Sequence, residues 1–251
     1  MIVNFYFHSI GETALSFPVK KFEFLLVRLK KKRFNSIKFN QIHESDPEKN
    51  YVVLTFDDCF YDVYENALSL LLKHNFKGTF FVVPGYDGVV RWGSEKYQKW
   101  SDSQSEDFNI PYRYMGEIER KKLLEYGMEI GAHTFGHPNL DALNIEEQRL
   151  EIEVSKAFLE KELNYSLDSF CYPRGRYNEI TIDLLKNGGF KRACTTKKGY
   201  VDVNGDPFQI KRFAAPYSKF VLDSILLGKS GNISSLDKVL DRLNRLIFKQ
   251  W

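Results

Sequence analysis

The feature that most limits the fold is a continuous apolar run, Tyr51 to Phe56, which ends directly in two aspartates, Asp57 and Asp58. The run is built from β-branched and aromatic residues, as expected for a parallel strand that is covered on both faces. In open α/β sheets and in α/β barrels, ligands bind just beyond the carboxyl ends of the strands. The two carboxylates are therefore predicted to lie at the mouth of a site.

Strand-like runs alternate with segments of helical periodicity along most of the chain. The predicted strands are residues 2–8, 51–58, 78–83, 129–134, 169–173, 192–196 and 209–214, and the predicted helices are 18–31, 61–74, 117–126, 145–163 and 179–187. Such alternation implies a parallel sheet with right-handed crossovers. We expect an α/β fold, a distorted seven-stranded (β/α) barrel in a single domain, with an open doubly wound sheet as the second choice.

A second polar segment follows the short apolar run that ends at Ala132. It begins with His133, and Gly136 and Pro138 disfavour a continuing helix, so His137 should lie in the turn that follows. Alone, a histidine or an acidic pair is usually structural. Placed together after strands, one carboxylate and two imidazoles suit a divalent metal, with a second carboxylate beside it.

The composition limits the remaining classes of function. With 251 residues, 43% of them hydrophobic, the chain can bury one sizeable core. The net charge of +3 is small beside 36 basic and 33 acidic residues, so it does not indicate binding to nucleic acid. Three cysteines favour a reducing compartment over a disulfide framework. The chain shows no signal peptide and no apolar stretch of membrane-spanning length, so we expect a soluble, cytoplasmic protein.

Four segments together resemble the polysaccharide deacetylase family, which is carbohydrate esterase family four and shares the nodulation-factor deacetylase homology domain. They are Thr55-Phe56-Asp57-Asp58, Gly78-Thr79-Phe80-Phe81, Gly131-Ala132-His133-Thr134-Phe135-Gly136-His137-Pro138 and Tyr172-Pro173-Arg174-Gly175-Arg176-Tyr177-Asn178. The resemblance extends to about residue 215. It implies a distorted barrel and metal-dependent hydrolysis of an N-acetyl amide or, less often, an O-acetyl ester on a sugar.

The resemblance also implies a role for each residue of the two polar segments. Asp58, His133 and His137 would hold the metal, and Asp57 would be the general base. The division is chemically reasonable because a metal ligand donates its lone pair to the ion, whereas a base must stay free to accept a proton. Zinc is the expected metal by ligand type, although nickel and cobalt accept the same ligands.

The chain departs from the family at an Arg-x-Pro-Tyr motif, whose arginine aligns with Cys171 and whose tyrosine aligns with Arg174. Arg174 is expected to supply its main-chain N–H to the oxyanion. Another cation must then flank Asp57. Arg212, on the last predicted strand, is the candidate, and Arg174 and Arg176 are the alternatives.

The general acid is a second departure, because no histidine follows His137. His8 ends the first predicted strand, and the first and last strands of a closed barrel are neighbours. Some family members, including deacetylases of exported poly-N-acetylglucosamine, have this rearranged strand order. His8 is therefore predicted to protonate the leaving amine, with a structural strand-end histidine as the alternative.

Two segments fall outside the regular alternation. We expect a barrel domain over residues 1–228, with a rim insertion at 86–114, followed by a linker and an amphipathic helix at 229–251. Aromatic residues of the insertion, Trp92 among them, would either stack on sugars or pack the loop onto the barrel. The terminal helix is expected to pack on its own domain, with a membrane surface as the alternative partner.

The sequence thus predicts a metal-dependent sugar deacetylase that acts on a glycan or glycan precursor. Its predicted substrate contacts are Trp92, Tyr172, Arg176 and Arg212. Two other functions stay open at this point. One is hydrolysis of a non-sugar cyclic amide or ureide, and the other is glycan binding without catalysis.

Overall fold

Eight parallel strands run through the part of the chain that the computed structural model describes, residues 1–12, 16–86 and 113–229. In chain order they are β1 (Ile2–Phe7), β2 (Asn35–Ser36), β3 (Tyr51–Phe56), β4 (Thr79–Val82), β5 (Glu129–Ala132), β6 (Ser169–Cys171), β7 (Arg192–Lys198) and β8 (Ile210–Ala214). Because β1 pairs with both β3 and β8, every strand except β2 belongs to one closed ring. The predicted seven-stranded (β/α) barrel is confirmed. Because the ring of strands is closed, the second choice, an open doubly wound sheet, is excluded.

Helices connect the strands at the predicted places. Those described are α1 (Val19–Lys31), α2 (Leu68–His74), α3 (Glu117–Glu125), α4 (Ile145–Leu163), α5 (Glu179–Asn187) and α6 (Lys219–Leu226). A π-helical turn, Val63–Ala67, leads into α2. Helix α6 was not predicted from the sequence. Most of the predicted insertion at 86–114, with Trp92, and nearly all of the predicted terminal helix lie outside the described residues.

The larger apolar layer lies between the strands and the helices. Phe56 stacks between Phe7 and Phe80, with ring centroids 5.4 and 4.8 Å away. Phe22 of α1 packs edge-on against Phe7 at 5.2 Å. Each such side chain contributes roughly 1.5–3 kcal/mol through burial. This packing stabilises β1, β3 and β4, three neighbouring strands of the barrel.

The opposite faces of the strands fill the barrel interior, because successive side chains of a strand alternate in direction. Val53, Phe81, Cys171, Cys194 and Ile210 belong to this second, smaller cluster. The cluster contains few polar groups. The chemistry is therefore concentrated at the two ends of the barrel.

A polar network closes the end of the barrel at which the strands begin. The buried Glu129 carboxylate accepts hydrogen bonds from Thr79 Oγ1 at 2.9 Å, from the Asn40 backbone N–H at 3.0 Å and from Ser169 Oγ at 2.5 Å. Burial raises the pKa of Glu129, and these donors oppose the shift. The other end, where β3 and β5 finish, carries the two polar segments.

No helix among the described residues combines the length and the apolar character that a bilayer span requires.

Candidate active site

The acidic pair sits in a sharp turn at the end of β3. The Asp57 backbone N–H donates to Phe7 O at 2.8 Å and so extends the β1–β3 pairing by one step. Asp58 and Cys59 then adopt left-handed φ values of 66° and 58°. Such conformations cost about 1–3 kcal/mol for residues with a side chain and cluster at functional sites. The turn keeps both carboxylates buried at the barrel mouth.

Both predicted histidines converge on Asp58. His133 follows β5, and its Nδ1 lies 2.6 Å from the carbonyl oxygen of Cys171, which leaves Nε2 to face Asp58 Oδ1 at 3.5 Å. Thr134 and His137 have φ values of 62° and 59°, and the His137 N–H donates to Thr134 Oγ1 at 2.9 Å. This tight turn brings His137 Nε2 to 3.3 Å from Asp58 Oδ1.

The three side chains fit a divalent cation. One ligand atom from each of Asp58, His133 and His137 lies within 4.8 Å of the others. Asp58 Oδ1 is buried and has no hydrogen-bond partner among the described residues, which is costly for a carboxylate unless a cation binds it. Burial lowers the pKa of His137 to about 4, so this imidazole is neutral, as a metal ligand must be. A ligating histidine that donates its other ring N–H to a carbonyl, as His133 does, is typical of metal sites.

A second group of candidate ligands, Asp57, His133 and Cys171, also lies within 4.8 Å. The guanidinium of Arg212 occupies the space between two of them, with Nη2 at 2.9 Å from Asp57 Oδ2 and 3.2 Å from Cys171 Sγ. Burial also raises the pKa of the Cys171 thiol, which keeps it protonated and a poor ligand. The first group is therefore the better metal site.

Arg212 of β8 binds Asp57 in a bidentate manner, with Nη1–Oδ1 and Nη2–Oδ2 distances of 2.7 and 2.9 Å. Burial alone would raise the pKa of Asp57, but the charge and hydrogen bonds of Arg212 outweigh it, and the pKa is lowered. Asp57 is thereby kept ionised.

The remaining donors of Arg212 are also engaged. Nε donates to Thr195 O at 2.9 Å, Nη1 also contacts Thr55 Oγ1 at 3.1 Å, and the side chain is 1% exposed. With its N–H groups used inside the barrel, Arg212 has none left for a substrate. The expectation that it also contacts substrate is therefore corrected, and its place is beneath Asp57.

Arg174 and Arg176, the alternative candidates for the cation beside Asp57, form their contacts elsewhere. Arg174 Nη1 donates to His137 O at 3.2 Å and to Asn139 Oδ1 at 3.1 Å, so its side chain braces the turn that carries His137. Its backbone has a left-handed φ of 55° in a tight turn whose hydrogen bonds use the N–H groups of Gly175 and Arg176. Arg176 Nε contacts the Asp141 carboxylate at 2.9 Å on the surface.

Tyr172 requires a second correction. It is 0% exposed, donates its hydroxyl hydrogen to Phe208 O at 3.0 Å and stacks on Tyr177 at 4.2 Å between ring centroids. Cys171 points into the barrel, so the next residue along the strand points outward into the helical layer. Tyr172 is a core residue and not a substrate contact.

His8 follows β1 directly and is partly buried, with its ring 5.8 Å from that of Tyr6. Its neighbour Phe7 accepts the backbone hydrogen bond of Asp57, which places His8 beside the acidic turn. Burial tends to raise the pKa of Asp58, and the charge of His8 is among the interactions that oppose it. The first strand thus brings a histidine to the same rim as the metal site.

Two further acids support the site, and sequence reasoning missed both. Glu151 of α4 accepts hydrogen bonds at Oε2 from the N–H groups of Phe135 and Gly136, at 2.9 and 2.7 Å, within the turn between the two histidines. Asp62 is buried and accepts hydrogen bonds from Ser9, next to His8, and from Ser16. In the folded protein, a β-carbon at Gly136 would lie 3.2 Å from Glu151 Oε1, so this position leaves little room for a side chain.

Residues 44–193 match the family model described as polysaccharide deacetylase. The chain belongs to the polysaccharide deacetylase family. This confirms the resemblance drawn from the four sequence segments. The family is one of metal-dependent carbohydrate esterases that act on N-acetyl amide bonds.

Two curated relatives show the extent of the sequence similarity. YxkH of Bacillus subtilis strain 168, named as a polysaccharide deacetylase, is 25% identical over 199 residues, which cover 77% of this chain and 63% of YxkH. The poly-beta-1,6-N-acetyl-D-glucosamine N-deacetylase of Staphylococcus aureus strain MRSA252 is 24% identical over 173 residues, which cover 65% of this chain and 54% of that protein. The matched region thus spans less than two thirds of either relative.

Solved structures of other members share the fold. The deacetylase PplD of Streptococcus pyogenes, solved in complex with acetate, superposes with a TM-score of 0.69 and 23% identity over 85% of this chain and 92% of PplD. IcaB from Ammonifex degensii superposes with a TM-score of 0.72 and 19% identity over 91% of this chain and 97% of IcaB.

Proposed function

We propose that the protein is a metal-dependent hydrolase that removes the acetyl group from an N-acetylated sugar of a glycan or glycan precursor. The proposal rests on one observation, that the two adjacent carboxylates have different surroundings. Asp58 faces two imidazoles and has a buried oxygen without a partner, whereas Asp57 is ionised and held by Arg212. A binding module has no need for a second, separately held carboxylate beside its ligand site.

Asp58, His133 and His137 are the proposed ligands, and zinc is the proposed metal because imidazole and carboxylate are among its preferred ligands. When bound, such an ion polarises a carbonyl and lowers the pKa of a water ligand. The proton transfers are assigned to other residues of the site.

Asp57 is the proposed base that accepts a proton from the attacking water. His8, on the neighbouring strand, is the proposed acid that donates a proton to the leaving amine. The main-chain N–H of Arg174 is the proposed donor to the oxyanion that forms at the acetyl carbonyl. Arg212 contributes indirectly, because it keeps Asp57 unprotonated and fixes the direction of its oxygens.

The proposed substrate class is a polymer or oligomer of N-acetylglucosamine. Support comes from the Staphylococcus aureus relative, which is named for poly-beta-1,6-N-acetyl-D-glucosamine. Trp92 and Arg176 remain proposed substrate contacts.

Acetate release from β-1,6-linked N-acetylglucosamine oligomers tests the proposal. The protein is stripped with a chelator, reloaded separately with zinc, cobalt or nickel, and compared with the Asp57→Asn variant under the same metal. We expect acetate only from the reloaded wild-type protein. Bound metal without acetate from any N-acetylated or O-acetylated sugar would refute the deacetylase, and turnover of a cyclic ureide in its place would identify the alternative hydrolase.

A further inference from the structure

Four large apolar side chains are exposed on the outer surface of helices α1 and α6. Phe24 and Val27 of α1 are 44% and 48% exposed, and Phe220 of α6 and Leu227, which directly follows that helix, are 70% and 56% exposed. A single exposed apolar residue is ordinary, but several on adjoining helices mark an interaction surface. Both helices already bury their opposite faces against the barrel.

The two helices are direct neighbours, so the four side chains share one surface. Arg28 of α1 binds Asp223 of α6 through two hydrogen bonds of 2.6 and 2.8 Å. Phe24 lies one helical turn before Arg28, and Phe220 lies about one turn before Asp223. We name the surface formed by Phe24, Val27, Phe220 and Leu227 the α1–α6 face.

Lysines surround this face. Lys20 and Lys31 continue the exposed stripe of α1 at spacings of four residues from Phe24 and Val27, and Lys30 is exposed beside them. Lys219, the first residue of α6, and Lys229, just beyond its end, are exposed near Phe220 and Leu227. Within residues 1–12, 16–86 and 113–229, no carboxylate forms an ion pair with any of these five lysines.

Each of the two helices contains one acid, and both acids already form ion pairs with other residues. Glu23 binds Lys73 at 2.7 Å and His74 at 3.1 Å, and Asp223 binds Arg28. The face therefore combines exposed aromatic and aliphatic groups with a surplus of positive charge. That combination is typical of surfaces that insert shallowly into the headgroup region of anionic bilayers.

We propose that the α1–α6 face docks the protein onto an anionic lipid surface. The charge distribution favours lipid over the chain's own terminal segment, residues 230–251, which carries four basic and two acidic residues and would bring positive charge to a positive face. The proposal is independent of the proposed catalytic function. None of the face residues belongs to the site at the barrel mouth.

Vesicle sedimentation with the full chain tests the proposal. The vesicles consist of phosphatidylcholine, with or without roughly one third phosphatidylglycerol. We expect binding only to the anionic vesicles and a decrease in binding as salt rises to about 0.5 M. A Phe24→Ser/Phe220→Ser variant and a Lys20→Glu/Lys31→Glu variant should each weaken binding by about tenfold or more.

A matched control is Ile118→Ser on α3, because Ile118 is 70% exposed, as is Phe220. It should bind vesicles as the wild type does, and all variants should keep the wild-type circular dichroism spectrum. The proposal is overturned if the protein binds no vesicle, or if both face variants bind normally while Leu240→Ser/Leu243→Ser in the terminal segment does not. It is also overturned if the wild type is a dimer that Phe220→Ser dissociates, which would make the face a contact between two copies.

Discussion

Arg212 holds both carboxylate oxygens of Asp57 although the two residues are 155 positions apart in the chain. They meet because β1 pairs with β3 on one side and with β8 on the other. Cys171 of β6 contacts the same guanidinium, with its Sγ 3.2 Å from Arg212 Nη2. A cation from the last strand thus reaches the acid at the end of β3 across the barrel interior.

Replacing Arg212 should impair Asp57 without removing metal. Arg212→Lys keeps a charge but cannot bind both oxygens, and we expect turnover to fall by about a hundredfold. Burial, which raises the pKa of Asp57, would then be less opposed, so the acidic limb of the kcat/KM profile should move to higher pH. Metal content and pH profiles measure both effects. Arg149→Lys, at a surface ion pair with Glu146, is the control, and an unmoved acidic limb would contradict the proposed role.

The adjacent aspartates should respond differently to the same substitution. Asp58→Asn should lose metal because it removes a charged ligand, whereas Asp57→Asn should retain metal and lose turnover by roughly 10²–10⁴-fold. Elemental analysis of the purified variants, together with acetate release, separates the two effects. If Asp57→Asn loses the metal and Asp58→Asn retains it, the assignments of base and ligand are reversed.

His8→Gln should retain metal and lower turnover by about a hundredfold or more if His8 protonates the leaving amine. The loss should be smaller for an acetyl ester than for an amide, because an alcohol leaves with less need for a proton. His43→Gln is the control, since His43 contacts Val203 O on the surface at 3.2 Å. Wild-type turnover in His8→Gln would mean that His8 is only a strand-end residue.

Much of the fold could be predicted from the sequence because strands such as β3 and β4 are short apolar runs, whereas β2, which consists of Asn35 and Ser36, has no such signal and was not predicted. The direction of the side chains, which alternates along each strand, also predicts which residues face the barrel interior and which face the helices. Cys171 and Ile210 point into the barrel, so the same alternation sends Tyr172 outward and Arg212 inward. Applied to every strand, it would have placed Tyr172 in the core and Arg212 among the interior residues.

The contacts of Glu151 and Asp62 could not be predicted from a local sequence pattern. Glu151 lies in the middle of a helix, and its contacts with the backbone at Phe135 and Gly136 depend on how α4 packs over the barrel mouth. Asp62 reaches Ser9 across 53 positions. Both acids bind groups that are distant in the chain, and only the folded barrel identifies those partners.

Glu151 should position the metal ligands through the turn between them. Glu151→Ala leaves the Gly136 N–H without its acceptor, whereas the Phe135 N–H keeps only the Glu151 carbonyl oxygen at 3.1 Å. We expect metal affinity to fall by about 10–100-fold, as for other supporting residues of metal sites. Glu151→Gln keeps an acceptor oxygen and should lose less. Competition with a chromogenic chelator measures the affinity. Glu153→Ala, at an exposed position of the same helix, is the control, and equal affinities in both alanine variants would contradict the prediction.

Asp62 should make the free energy of unfolding depend on pH. Burial raises its pKa to about 7, although hydrogen bonds from Ser9 and Ser16 oppose the shift, whereas the unfolded chain has a pKa of about 3.9. Between these two values the folded state holds a proton that the unfolded state has lost, so stability contributed by this group falls as pH rises from about 4 to about 7. The decline should reach at most about 4 kcal/mol.

Asp62→Asn removes this titration, so the variant should gain stability relative to the wild type as pH rises from 5 to 8. Urea unfolding at several pH values, with both proteins under the same metal conditions, measures the difference. Asp183→Asn, at an exposed position, should follow the wild-type curve throughout. A constant difference between Asp62→Asn and wild type across this range would show that Asp62 does not titrate there. The loop that begins at His8 would then be held by an acid that stays ionised in the folded protein.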